Sequence, residues 1–174
     1  GPGISITGTA PNFTINNTAT IEQIKNGGFE SGSTNWTATS GVITNDASFA
    51  AYAGSWKAWL NGYGATHTDS AYQTITIPSA ATQATLTFWL DVATDETTTT
   101  SAYDTLKAQV RNSSNTVLAT LATYSNLNAA GGYSQKSFNL LAYKGQTIRI
   151  YFLGVEGSQV ATSFVVDNVS VITK

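Results

Sequence analysis

Short segments in which apolar and polar residues alternate fill most of this chain, and turn-forming residues separate them. Residues 72–77, for example, alternate without interruption and stop at Pro78. A period of two indicates a strand with one buried face, and no segment shows the 3.6-residue period of a convincing amphipathic helix. About ten such segments at hairpin spacing predict an all-β fold, an antiparallel β-sandwich of the jelly-roll type.

The composition supports the same fold class. The chain of 174 residues is 41% hydrophobic but only 10% charged, against about 25% charged residues in typical globular proteins. Threonine and aromatic residues favour strands, while glycine and asparagine favour turns, a profile typical of a secreted microbial domain. We therefore expect one extracellular module over residues 25–174, preceded by a linker or a leading strand over residues 1–24.

Charge and cysteine content exclude several classes of function. The net charge is −2, and the eight basic residues form no run, so nucleic acid is not an expected partner. No apolar stretch reaches the length of a membrane-spanning helix, so we expect no membrane partner. The chain has no cysteine, which excludes disulfides, thiol catalysis and thiolate metal sites.

Two motifs near the ends of the predicted module form a pair. The first is NGGFE at residues 26–30, and the second is VDNVSV at residues 166–171. The glycine pair permits a tight turn that exposes carbonyl oxygens, and each motif carries one carboxylate, Glu30 or Asp167. Calcium binds six to eight oxygen ligands of these kinds. The alternative is a turn and two solvated surface acids, which either motif alone would favour.

These motifs, together with Trp36 and the strands predicted at 72–77 and 86–90, resemble the jelly-roll carbohydrate-binding modules of bacterial xylanases and laminarinases. Residues 94–106 and 118–127 are more similar to the C-terminal accessory domains of secreted bacterial peptidases, including kumamolisin-type ones. The resemblance covers about residues 25–173 and rests on the order of the motifs along the chain.

The resemblance implies a structural calcium. In the carbohydrate-binding families, the matching glutamate and late aspartate hold this ion beside the sheet. The same positions here are Glu30 and Asp167, with backbone carbonyls near Gly28 and Lys57. Relatives often have a second acid where this chain has Asn168, a difference that removes one carboxylate ligand.

A second group of acids is a candidate for another calcium. Four of the ten acidic residues fall within a short stretch, and a predicted hairpin would bring them close together; they are Asp91, Asp95, Glu96 and Asp104. Like charges at close range repel, so either a cation or the solvation of a long loop must offset them.

Sugar-binding surfaces combine flat aromatic faces with amide and charged groups. Most aromatic residues of this chain are expected in the core, but strand alternation turns some of them outward. The predicted ligand-binding set, on the outer face of one sheet, is Trp89, Tyr151, Tyr72, Gln109 and Arg149. A second platform is predicted at Trp56 and Tyr63. For Trp89, the alternative is that residues 4–15 cover it.

The sequence disfavours catalysis. His67 is the one histidine, so two-histidine metal sites are excluded, and neither a nucleophile elbow nor a phosphate-binding loop occurs. A glycosidase needs two carboxylates across a cleft, which Asp91 and Asp104 supply only formally. We therefore predict that the chain is not an enzyme.

The predicted function is a non-catalytic, monomeric accessory module of a larger secreted protein. It is expected to bind a polysaccharide or glycan, to hold its parent enzyme at the substrate, and to contain a structural calcium. The alternative is a structural or protein-binding C-terminal appendage of a secreted peptidase, without a sugar site.

Overall fold

A computed structural model describes residues 4–8, 14–17 and 19–174, and nearly all of its regular structure is β. The strands are β1 (Ile4–Thr7), β2 (Thr14–Asn17), β3 (Ile21–Glu22), β4 (Thr37–Ala38), β5 (Ile43–Thr44), β6 (Lys57–Asn61), β7 (His67–Thr76), β8 (Ala84–Thr94), β9 (Thr105–Arg111), β10 (Val117–Ser125), β11 (Ser134–Asn139), β12 (Thr147–Glu156) and β13 (Thr162–Thr173). Two short 3₁₀ turns, Asn126–Asn128 and Leu141–Tyr143, are the helical elements of the described residues. None of these is long and apolar enough to span a membrane.

The strands form two antiparallel sheets. One sheet has the order β10-β9-β12-β7-β4, and the other has the order β11-β8-β13-β6-β5 with β3 beside β13. Strands β1 and β2 pair with each other in a separate two-stranded sheet. The predicted all-β sandwich of jelly-roll type is therefore confirmed.

The core lies between the two sheets. Leu86, Phe88 and Leu90 of β8 are almost fully buried, as the alternation predicted, and so is Phe152 of β12. The rings of Phe88 and Phe152 meet edge to face at 5.0 Å and 81°, so this contact joins one sheet to the other. Such aromatic pairs stabilise a core beyond the area they bury.

The sandwich begins earlier than residue 25. Strand β3 pairs with the last strand, Ile172 opposite Glu22 and Thr173 opposite Ile21. Ile24 is buried, and both backbone groups of Lys25 bond to the buried side chain of Gln73. Strand β3 lies within the residues 1–24 that we expect to be a linker or a leading strand, and with two residues it is too short to show alternation.

Strand β7 also begins before the predicted residue 72. Its first residues carry polar side chains toward the interior, where Asp69 is fully buried. A charged residue at an inward position breaks the alternation by which the strand was recognised, so sequence reasoning missed this half of it.

Candidate functional site

The two end motifs meet in the fold. The N–H of Val169 donates to the carbonyl of Gly27 at 2.9 Å, at a point where the pairing of β13 with β8 shifts register. A Cβ on Gly27 would lie 1.8 Å from the carbonyl oxygen of Val169. Only glycine permits this approach, so the NGGFE turn is fitted to the last strand.

Glu30 and Asp167 both bind the loop of residues 52–56. One carboxylate oxygen of Glu30 accepts the N–H groups of Ser55 and Trp56, each at 2.9 Å. Asp167 is fully buried and accepts the N–H groups of Ala53 at 3.1 Å and of Asn168 at 2.6 Å. We call Glu30, Asp167 and this loop the acid junction.

The junction holds negative charge in a buried place. Burial raises the pKa of Asp167; backbone donors, including Tyr52, oppose the rise, and the charge of Glu30 adds to it. Burial lowers the pKa of Lys57, and the charges of Asp46 and Asp167 oppose that change. The nearby positive charge is therefore the Lys57 ammonium, which also donates to the Asp46 carbonyl.

The donors at the acid junction fit a hard cation. A Cβ on Gly28 would lie 2.9 Å from the Asn168 amide oxygen and 4.0 Å from an Asp167 carboxylate oxygen, so the Gly28 backbone lies against both. Carboxylate, amide and carbonyl oxygens are calcium ligands. In the part of the chain that the structure describes, no three His, Cys, Asp or Glu side chains converge. Backbone carbonyls and water would have to complete the coordination.

The predicted second acidic cluster does not come together among the described residues. Strands β8 and β9 belong to different sheets, so residues 95–104 cross between sheets and form no hairpin. Asp104 is buried and accepts the N–H of Gly157 at 2.7 Å, whereas Asp91 accepts a backbone donor from Gly132. The side chain of Asp95 is exposed and that of Glu96 half-buried. The hairpin prediction was wrong because sheet membership depends on long-range pairing.

Four residues of the predicted ligand-binding set lie together on the outer face of the five-stranded sheet. Gln109, Tyr151 and Tyr72 stand opposite one another on β9, β12 and β7. The two tyrosine rings stack 5.2 Å apart at 7°. Arg149 lies over the Tyr72 ring at 4.8 Å. Strand alternation therefore located this group correctly.

Sequence reasoning missed Arg111 as a member of this group. Its guanidinium lies 3.6 Å from the centre of the Tyr151 ring. Two of its nitrogens donate to the Gln109 side-chain oxygen, at 2.9 and 2.6 Å. The signal was present, since Arg111 is two residues from Gln109 and alternation turns both outward. We call Tyr72, Gln109, Arg111, Arg149 and Tyr151 the tyrosine–arginine face.

Trp89 lies on the other sheet, so its predicted place beside Tyr72 and Tyr151 was wrong. It belongs to β8, in the six-stranded sheet, directly opposite Asp167. Tyr52, from the loop of the acid junction, stacks on it at 3.9 Å and 12°. The alternative, covering by residues 4–15, depends in part on residues 9–13, which lie outside the described residues.

The second predicted platform is divided. Trp56 lies near Gly32 and donates its backbone N–H to Glu30. Tyr63 is 53% exposed, and its ring lies 4.1 Å from that of His67. These side chains serve different local contacts, Trp56 at the acid junction and Tyr63 beside His67.

Solved structures with a similar fold include sugar-binding modules and part of an enzyme. The structure of TmCBM61 in complex with β-1,4-galactotriose is 15% identical, with a TM-score of 0.60, and the match covers 88% of this chain and 99% of that one. A family 16 carbohydrate-binding module is 19% identical, with a TM-score of 0.50 and coverage of 86% and 98%. The enzymatically active domain of bacteriophage CBA120 tailspike protein 4 is 16% identical, with a TM-score of 0.56 and coverage of 87% and 21%.

These similarities establish the fold, and a fold alone does not decide between binding and catalysis. No protein-family model matches the chain. No curated protein matches it either. The acid junction and the tyrosine–arginine face are therefore the features of this chain that bear on its function.

Proposed function

We propose that this chain is a non-catalytic accessory module that binds a polysaccharide or glycan through the tyrosine–arginine face. The parallel stacking of Tyr72 and Tyr151 under two guanidinium groups carries the proposal. The module would serve a larger secreted enzyme by holding it at its substrate. The sugar-binding modules that share this fold support the choice of ligand class.

The chemistry of the face suits a glycan. A sugar presents hydroxyl groups and an apolar face of C–H groups, which call for planar surfaces and for donors that are already in position. Arginine presents up to five N–H donors in a rigid fork, and a guanidinium stacked on an aromatic ring is itself a planar surface. Gln109 holds the Arg111 fork in place, which reduces the entropy lost when a ligand binds.

A structural calcium at the acid junction is the second part of the proposal. The two carboxylates with the amide oxygen of Asn168 and the backbone at Gly28 would hold the ion. Calcium would neutralise charge that Lys57 alone balances only in part. This role is structural, because it would tie the first turn, the loop of residues 52–56 and the last strand together.

Affinity gel electrophoresis against xylan, β-glucans, cellulose, chitin, galactan and polygalacturonate tests the binding function. Retarded migration on at least one polymer, lost in Tyr72→Ala, is the expected result. Trp89→Ala is the matched control, because it removes an aromatic residue from the opposite sheet. Thermal melting of both variants checks that they remain folded.

Other outcomes would change the assignment. Retardation that is lost in Trp89→Ala but kept in Tyr72→Ala would move the binding site to the six-stranded sheet. No retardation on any polymer would overturn the binding function and favour a structural or protein-binding appendage. Release of reducing sugar from any polymer would contradict the non-catalytic role.

A further inference from the structure

Arg111 and Arg149 stand directly opposite each other on neighbouring strands β9 and β12. Side chains at such paired positions lie on the same face, with Cβ atoms roughly 4.5–5.5 Å apart, and like charges placed there are destabilising. Each guanidinium also lies over one ring of the stacked pair Tyr72 and Tyr151. The fold thus concentrates two positive charges on one small patch.

Among the described residues, no carboxylate lies at ion-pair distance from either guanidinium. The one contact at ion-pair distance in the described part of the chain joins His67 to Asp69. The segments outside the described residues hold no compensating acid, because the first acidic residue of the sequence is Glu22. Cation–π contacts with the tyrosines offset part of the repulsion, but they do not neutralise the charge.

The donors of the two arginines are only partly used. One terminal N–H group of Arg149 donates to the side-chain oxygen of Asn115 at 3.4 Å. The Nε of Arg149 is buried without a hydrogen-bond partner among the described residues. Arg111 is 9% exposed and is braced by Gln109, whose amide nitrogen in turn donates to Thr120 at 3.2 Å. A buried donor that lacks a partner is costly, so this patch is poised to accept an oxygen ligand.

The rings beneath the arginines are not free for simple stacking. Tyr151 is only 8% exposed, with the Arg111 guanidinium over it. A ligand approaching this part of the face meets the half-buried Arg149 side chain before the buried Arg111 guanidinium and the Tyr151 ring. Guanidinium forks match the geometry of oxyanions, and such charge-assisted pairs are about twice as strong as neutral hydrogen bonds.

We infer that Arg111 and Arg149 bind an oxyanion carried by the sugar, a uronic acid carboxylate or a sulfate ester, so that the ligand is an acidic glycan. This inference rests on the proposed glycan-binding function and names its ligand class. The net charge of the chain is −2, so general attraction to polyanions does not account for such a preference.

The test uses two matched polymer pairs, polygalacturonate with its carboxyl-reduced form and dextran sulfate with dextran. We expect the wild-type protein to bind the charged member of one pair at least about tenfold more tightly than the neutral member. The pair that shows this difference tells whether the recognised group is a carboxylate or a sulfate ester. Arg149→Gln is expected to abolish this preference, and Arg149→Lys to restore only part of it. Lys144→Gln, which removes an equal charge from an exposed turn outside the face, is expected to keep it.

The possible failures are distinct. Equal binding to the charged and neutral members, or a preference that survives Arg149→Gln, would overturn the acidic-glycan inference and leave the glycan-binding function standing. Absence of binding to these four polymers and to xylan, β-glucans, cellulose, chitin and galactan would overturn both. Loss of the preference in Lys144→Gln as well would reduce the effect to net charge and also overturn the inference.

Discussion

Glu30 and Asp167 lie far apart in the sequence, yet their carboxylates accept N–H groups from the same short loop. Glu30 binds Ser55 and Trp56, and Asp167 binds Ala53. The loop continues to Tyr52, whose ring covers Trp89. The acid junction therefore joins both end motifs, and its loop also places Tyr52 over Trp89.

Chelation is expected to lower the melting temperature, because an ion that binds only the folded state stabilises it by mass action. At free calcium about 100 times its dissociation constant the gain is about 2.7 kcal/mol, or roughly 5–10 °C for a domain of this size. Differential scanning calorimetry with calcium and with EDTA measures the difference. Glu30→Ala should remove most of it, whereas Asp95→Ala, at an exposed acid outside the junction, should keep it. An unchanged melting point after exhaustive chelation would count against the calcium.

The pH dependence of stability is expected to change sign when calcium binds. Without a cation, burial raises the pKa of Asp167, so the folded state holds this proton more tightly than the unfolded chain. The contribution of Asp167 to the free energy of unfolding then falls as pH rises above about 4. A bound cation favours the carboxylate and, once it lowers this pKa below that of the unfolded chain, the contribution no longer falls above about pH 4 and is instead lost as pH drops below that value.

Melting temperatures from pH 3.5 to 7, with EDTA and with calcium, provide the measurement. Subtracting the same profiles of Asp167→Asn isolates the contribution of this group. If the contribution of Asp167 to stability depends on pH in the same way with EDTA and with calcium, no cation binds at Asp167.

Gly27→Ala is expected to destabilise the fold by about 3 kcal/mol, the upper part of the usual range for overpacking. The added Cβ would lie 1.8 Å from the Val169 carbonyl oxygen, and neither backbone segment can move without breaking the bond between them. Urea denaturation measures the change. Gly157→Ala is the control, because its Cβ would meet only ordinary contacts of 3.4 Å or more. Equal losses in the two variants would show that the close approach at Gly27 is unimportant.

The predicted outward face on β7, β9 and β12 depended only on local alternation, and the structure places Tyr72, Gln109, Tyr151 and Arg149 there together. Trp89 followed the same rule and also faces away from the core. Alternation indicates which face of a strand a residue occupies but not which sheet the strand belongs to, so the prediction for Trp89 names the wrong sheet. Sheet membership follows from which strands pair across long stretches of chain.

The acidic residues show the same limit. The acids between Asp91 and Asp104 cluster in the sequence but, among the described residues, not in space, because the connection between β8 and β9 crosses from one sheet to the other. Glu30 and Asp167, at opposite ends of the module, converge on one loop. Most strand partners in this sandwich are distant in sequence, as β13 is from β6 and β8, so proximity along this chain is a poor guide to proximity in its fold.

By itself, the sequence determined that this protein is an all-β sandwich and which residues of most strands face inward, because the two-residue period is a property of the extended backbone. Only the tertiary structure decided that two arginines face each other over a stacked tyrosine pair, that Tyr52 covers Trp89, and where the carboxylates meet. These relationships depend on strand order and register. Both are set when the inner faces of the two sheets are buried together, so no single segment of the sequence determines them.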